Sequence, residues 1–105
     1  MVKIIKDDDF VVEDWRLVSK ILLVKKSKEF PQGYKFKFQF MVFKDNEWKD
    51  IVRIDNHKHG KFVGRTHIHK FGSKITEEIN IPLENIEEYI INLGLKLNEE
   101  IKNEN

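Results

Sequence analysis

The sequence predicts an α+β fold, in which an antiparallel meander of four to five strands is covered on one face by a C-terminal amphipathic helix. Apolar residues alternate with polar ones in the middle of the chain and recur every three or four residues near its end. The chain has 105 residues, which is enough for one hydrophobic core and too few for two. We therefore expect one domain with an acidic N-terminal segment (1–15), a basic sheet (16–75) and a helix (82–102).

Four segments of the basic sheet have the composition of strands: residues 17–24, 34–43, 48–55 and 62–71. The second is the clearest, because apolar side chains alternate there with Lys and Gln, as on a half-buried strand. Short loops rich in turn-forming residues separate the segments, which predicts an antiparallel meander. In the third segment, the side chains expected to point into the core are Trp48, Val52 and Ile54. Those expected to point outward are Lys49, Arg53 and Asp55.

The two ends of the chain have different patterns. Near the C-terminus, apolar residues recur at helical spacing, and Pro82 stands where the first turn of a helix accepts proline. These apolar residues are Leu83, Ile86, Ile90, Leu93, Leu97 and Ile101. Near the N-terminus, the run Asp7-Asp8-Asp9 is typical of a helix cap or a turn, and residues 10–15 fit a short helix or a strand.

Charge is distributed unevenly along the chain. The formal net charge is +1, but residues 16–75 hold fifteen Lys and Arg against five Asp and Glu, whereas the two flanking segments hold four against thirteen. The near-neutral total therefore combines a basic middle with acidic ends. Such segregation favours binding of a polyanion through the predicted sheet, although lysine also protects exposed sheet edges.

Composition excludes several classes of protein. The chain has no cysteine, so it has no disulfide framework, thiol nucleophile or cysteine-based zinc ribbon. No apolar run approaches the length of a membrane span, and the first residues lack the layout of a signal peptide. We therefore expect a cytoplasmic protein that does not bind a membrane.

All four histidines lie within thirteen residues. They are His57, His59, His67 and His69. Residues two apart on a strand project from one face, so the second pair is aligned, and the first pair is aligned if the preceding strand extends that far. A hairpin through the intervening glycines, Gly60 and Gly64, would bring the two pairs together. The residues expected to join them on the open face of the sheet are Arg53, Asp55 and Arg65.

Metal-independent cleavage of RNA is one role that fits this cluster. It requires a base for the ribose hydroxyl, an acid for the leaving oxygen and cations that hold the phosphate. Histidine titrates near neutral pH and serves in either proton role. The candidate catalytic residues are His67, His69, His57 and Asp55, the last orienting a histidine. The candidate phosphate-binding residues are Arg53, Arg65, Lys58, Lys61 and Lys70.

Two other roles remain open for the same residues. The four imidazoles are suited to a divalent transition metal such as zinc or nickel, which would make the protein a non-catalytic module that binds a metal ion or a partner protein. In a structural role, the side chains of Asp55 and Asn56 cap backbone amides, the glycines accept a positive φ, and the histidines form hydrogen bonds across the hairpin.

The region around the histidines resembles the TumE-type toxins of bacterial and archaeal toxin–antitoxin modules. The matching elements, in chain order, are Arg53-Ile54-Asp55-Asn56, His57, Thr66-His67-Ile68-His69 and Leu83-Glu84-Asn85-Ile86. The resemblance extends over residues 16–97 and implies a small toxin that acts on RNA or translation and pairs with a helix-turn-helix antitoxin. Family members usually have a proline and a histidine where this chain has Arg65-Thr66, so a third histidine in that role is absent.

These observations lead to two functional hypotheses. The first is a toxin component that acts on RNA, with metal-independent endoribonuclease activity, no cofactor and an antitoxin as its partner. The second is a non-catalytic domain that binds a metal ion or a partner protein through its histidines.

Overall fold

The fold is seen in a computed structural model that describes residues 2–57, 60, 63–73 and 75–103. Within these residues, six antiparallel strands form one open sheet whose strand order follows the chain, and a helix packs against it. The strands are β1 (Lys3–Val12), β2 (Trp15–Leu23), β3 (Tyr34–Lys44), β4 (Glu47–Asp55), β5 (His67–Lys70) and β6 (Thr76–Glu78), and the helix is α1 (Leu83–Asn103). The predicted α+β class, the meander and the covering helix are confirmed, but the sheet has six strands instead of four to five.

The N-terminal segment forms a long strand, so the prediction of a helix cap or turn at the three aspartates was wrong. In β1 these residues pair with β2, where Asp7 lies opposite Lys20. The guanidinium of Arg16 donates two hydrogen bonds to the Asp9 carboxylate, the one from Nε measuring 2.7 Å. The ion pair between Arg16 and Asp9 thus offsets part of the low strand propensity of aspartate.

The last part of the sheet also differs from the prediction. The strand expected over residues 62–71 is confined to β5, and Phe62 lies outside the described residues. Gly64, with a φ of 72°, belongs to the turn that precedes it. A Cβ at this position would lie 2.6 Å from the backbone oxygen of Lys28, so the chain here packs closely against the loop between β2 and β3.

The hydrophobic core lies between α1 and one face of the sheet. Its fully buried side chains include Phe38, Phe40 and Leu17 from the strands and Ile86 and Ile90 from the helix. The helix begins one residue after the predicted start at Pro82, and its spacing places these isoleucines toward the sheet. No helix in the described part of the chain has the length and apolar character that crossing a bilayer requires.

A β-bulge in β4 changes which side chains face the helix. Phe40 pairs with Val52 and the next residue, Met41, pairs with Asp50, so Ile51 is the extra residue. Beyond the bulge the alternation is shifted by one residue, so Trp48 lies on the face of the sheet that α1 does not cover. We call this side of the sheet the open face. The expectation that Trp48 points into the core beside Val52 and Ile54 was therefore wrong.

Candidate nucleic-acid interface

The pairing of β4 with β5 brings two of the predicted histidines beside the predicted polar residues. His67 lies opposite Asp55, and His69 lies opposite Arg53. Ile68, between the two histidines, belongs to the hydrophobic core under α1. Because side chains alternate along a strand, both histidines belong to the open face.

Asp55 is a buried carboxylate that holds three groups together. It is 4% exposed, although the sequence predicts an outward-facing side chain. Its Oδ1 accepts a hydrogen bond from the backbone N–H of His57 at 3.0 Å and lies 3.0 Å from Nε2 of His67, while its Oδ2 accepts from Nε of Arg53 at 3.0 Å. These contacts occupy both oxygens, so Asp55 positions its neighbours.

His67 and Asn56 are also buried beside this carboxylate. His67 is 2% exposed, which leaves its ring inaccessible to a macromolecular substrate in this conformation. The Asn56 side chain donates to the backbone oxygen of Tyr34 at 2.7 Å and accepts from the backbone N–H of Phe36 at 2.9 Å, and so extends the pairing with β3. The Asp55-Asn56 pair thus makes the capping contacts that the structural alternative describes.

His57 is half-buried and lies beside several cations of the open face. Burial lowers the pKa of its imidazole, and the positive charges of Lys35, Lys37 and Arg53 lower it further, while the negative charge of Asp55 acts in the opposite direction. A histidine with a lowered pKa is neutral at physiological pH and can accept a proton. Among the described histidines, His57 therefore has the environment of a general base.

His69 occupies a less enclosed position on the same face. It is half-buried, and its Nδ1 lies 3.4 Å from the hydroxyl oxygen of Thr76 on β6. Its ring contacts Phe71 edge to face, with centroids 5.1 Å apart. Unlike the neighbouring His67, this imidazole retains solvent access on the open face.

Three lysines on β2 and β3 form what we call the lysine array: Lys20, Lys35 and Lys37. Lys20 and Lys37 lie directly opposite each other across the strand pair, and Lys35 is on the same face one step along β3. In the part of the chain that the structure describes, no carboxylate lies within ion-pair distance of these ammonium groups. On their other sides Lys20 lies opposite Asp7 of β1 and Lys37 opposite Asp55 of β4, which offsets part of the repulsion between the two lysines. A bound anion would relieve the rest.

The lysine array was not among the predicted site residues, although its signal was present in the sequence. Residues 34–43 alternate so regularly that Lys35 and Lys37 are assigned to the polar face of the strand from the pattern alone. The predicted phosphate-binding residues all lie nearer to the histidines in the chain. What the pattern does not reveal is that Lys20 lies opposite Lys37, because this depends on the register between β2 and β3.

The predicted phosphate-binding residues are dispersed. Arg53 is bonded to Asp55, and Lys70 pairs with the core residue Val52 and so points to the helix side of the sheet. Arg65 forms an ion pair with Glu78 at 2.9 Å, and both line a cavity of about 920 Å³ on the helix side, near the start of α1. The other members of the predicted sets, His59, Lys58 and Lys61, lie outside the described residues.

The described residues contain no group of three histidine, aspartate or glutamate side chains arranged to hold a metal ion. Asp55 and His67 are in contact, but this carboxylate already accepts hydrogen bonds from two other donors. His59, the fourth member of the proposed metal set, is outside this part of the chain.

Comparisons with known proteins give no assignment of family. No protein-family model matches the chain, and neither a curated protein nor a solved structure matches it. The resemblance of residues 53–69 and 83–86 to TumE-type toxins stays a prediction, and the lysine array around His57 is the feature on which function can be argued.

Proposed function

We propose that the protein binds RNA through the open face of its sheet and cleaves it without a metal ion, as the toxin of a toxin–antitoxin pair. The observation that carries this proposal is the lysine array, whose three ammonium groups lie outside ion-pair distance of every described carboxylate and next to a histidine whose pKa is lowered. Phosphate neutralisation by lysine supplies most of the sequence-independent affinity for nucleic acids.

The proposed chemistry uses groups that face the bound phosphate. The neutral imidazole of His57 takes the proton of the ribose 2′-hydroxyl, and the 2′-oxygen then bonds to the adjacent phosphorus. The bond from phosphorus to the 5′-oxygen breaks, and His69 donates a proton to the departing oxygen. Lysine ammonium groups stabilise the charge on the phosphate oxygens during this step. Asp55 acts as a positioning residue, because it holds the backbone of His57.

The burial of His67 supports a less direct role for this residue than the sequence alone suggests. The His67 ring is 2% exposed and helps to hold the Asp55 carboxylate in place, because its Nε2 lies 3.0 Å from Oδ1 of Asp55. We therefore assign the proton transfers to His57 and His69, which are both half-buried.

Loss of two lysines of the array should weaken RNA binding. We expect the double variant Lys35→Gln/Lys37→Gln to bind a single-stranded oligoribonucleotide about tenfold more weakly, because two phosphate contacts are removed. The slope of log affinity against log salt concentration should fall by about 0.7 per lost contact, so by about 1.4 in total. Fluorescence anisotropy titrations at several salt concentrations measure both quantities.

The matched control for this experiment removes two exposed lysines elsewhere. Lys44 lies at the end of β3 and Lys96 on α1, so Lys44→Gln/Lys96→Gln changes the net charge by the same amount. Equal losses of affinity in the two double variants would show that RNA binding depends only on the overall charge. This result would contradict the proposal that RNA binds to the open face.

Cleavage should depend on His57 and should persist at mildly acidic pH. We expect His57→Gln to reduce cleavage at least a hundredfold, which is within the usual contribution of a general base. Because the pKa of His57 is lowered, its imidazole should become protonated, and the rate should fall, at a lower pH than for an ordinary histidine. Cleavage assays across pH in the presence of a chelator, together with NMR titration of the imidazole, measure the effect.

The toxin part of the proposal has a cellular test with the same variant. Expression of the chain without a partner should arrest growth. The His57→Gln variant should not arrest growth, and co-expression of a helix-turn-helix protein encoded next to the chain should relieve the arrest caused by the unchanged chain.

A substrate with 2′-deoxyribose at the scissile position should resist cleavage. Full activity of His57→Gln, or cleavage that stops with the chelator, would rule out the proposed chemistry.

A further inference from the structure

We propose that Phe43 and Trp48 form a stacking platform for an unpaired base, so that the RNA bound by the open face is single-stranded. This inference rests on the proposed function and adds the class of RNA to it. The two rings are a cross-strand pair of β3 and β4 with centroids 5.3 Å apart and an angle of 60° between their planes.

Both rings lie on the same face as the lysine array. Phe43 alternates along β3 with the same phase as Lys35 and Lys37, opposite to the core phenylalanines. Trp48 reaches this face because of the bulge at Ile51, which shifts the alternation of β4. The bulge thus adds an aromatic ring to a surface that already carries positive charge.

The platform has both an exposed ring and a nearby cation. Phe43 is 47% exposed, so much of its ring surface is open to a ligand. The guanidinium of Arg16 lies over the Trp48 ring, 5.7 Å from its centroid, and is held in this position by two hydrogen bonds to Asp9. Because this guanidinium covers one face of Trp48 and is paired with Asp9, the exposed ring of Phe43 offers the surface on which a base can stack, and the lysine array offers the charge for the phosphates.

The spacing of the two features suits a strand of several nucleotides. Phe43 lies six positions beyond Lys37 along β3, which corresponds to about 20 Å at about 3.4 Å per residue. A single strand that follows β3 would place phosphates on the lysine array and an unstacked base on the aromatic pair. A duplex keeps its bases stacked inside and cannot make the second contact.

The test compares stacking variants on single-stranded and double-stranded RNA. We expect Phe43→Ala and Trp48→Ala each to weaken binding of a single-stranded oligoribonucleotide about fivefold to a hundredfold, with an unchanged salt slope. Binding of inorganic polyphosphate, which has no bases, should stay the same. Tyr89→Ala is the control, because Tyr89 is a 40% exposed aromatic residue on α1, away from the open face.

A second measurement does not depend on removing the ring. Binding of the oligonucleotide should quench indole fluorescence, and Trp48→Phe should bind with little loss while abolishing this quenching. Trp15, the other tryptophan, stacks on Phe40 with ring centroids 5.4 Å apart on the core face of the sheet and should not respond. Unfolding curves recorded in parallel show whether each variant remains folded.

The outcomes separate this inference from the proposed function. If Phe43→Ala and Trp48→Ala bind single-stranded RNA as tightly as the unchanged chain, while loss of Lys35 and Lys37 weakens binding, the platform is wrong and the proposed function stands. Equal affinity for a duplex also overturns the platform. If the unchanged chain binds no RNA, the proposed function and the inference fail together.

Discussion

Replacing Asp55 with alanine is expected to lower the free energy of unfolding by about 3–5 kcal/mol, the usual cost of removing one member of a buried charged network. The carboxylate is 4% exposed and receives contacts from Arg53, His57 and His67. Without it, the buried imidazole of His67 and the N–H of His57 lose the acceptor that they face. Denaturant unfolding followed by circular dichroism measures the change.

Asp8→Ala is the control for this substitution. Asp8 is also on a strand and forms an ion pair with Lys6 at 3.2 Å, but its side chain is 54% exposed. A surface pair of this kind contributes about 0–1 kcal/mol. Asp55→Asn should fall between the two, because it keeps the shape and one acceptor but removes the charge. Similar stabilities of Asp55→Ala and Asp8→Ala would contradict the assigned role of Asp55.

Replacing Gly94 with alanine is expected to lower the free energy of unfolding by about 3 kcal/mol, the upper part of the range for overpacked cores. Helix propensity alone predicts the opposite change, because alanine in place of an interior glycine normally stabilises a helix by about 1 kcal/mol. An added Cβ would lie 2.3 Å from Cδ1 of Phe40, so either α1 or the ring must move. Thermal or denaturant unfolding measures the loss.

A double-mutant cycle attributes this loss to the contact between the helix and the ring. Phe40→Leu makes the opposing side chain smaller, so the cost of Gly94→Ala should be smaller in that background. Asn92→Ala, at an exposed position of the same helix, should change stability by less than about 1 kcal/mol. Stabilisation by Gly94→Ala would show that the helix does not pack this closely on β3.

The periodicity of the sequence was sufficient for the larger elements. Alternation in residues 34–43 identified the core phenylalanines, and helical spacing placed α1 within one residue of its observed ends. It was insufficient for β1, because three consecutive aspartates are typical of turns. The negative charges of these aspartates are balanced by ion pairs with Arg16 and Lys6. The pair with Arg16 forms only because β1 lies beside β2 in the sheet.

For the histidine cluster, the sequence pattern predicts the face of the strand but not the burial of each side chain. The pattern His-x-His correctly assigns His67 and His69 to one face, because alternation is a property of the strand itself. It does not say that His67 is buried against Asp55 while His57 stays half-exposed among cations. Burial depends on which loop and strand lie nearby, and these contacts join residues that are distant in the chain.

The sequence by itself determined the α+β class, the order of sheet and helix, and the basic character of the middle segment, because periodicity and charge are local properties. Only the tertiary structure decided which of the described cations form ion pairs and which aromatic rings face outward. The register of β2 with β3 places Lys20 against Lys37, and one extra residue at Ile51 turns Trp48 from the core to the open face. A shift of one residue reverses every side chain beyond it, and the partner strand sets that shift.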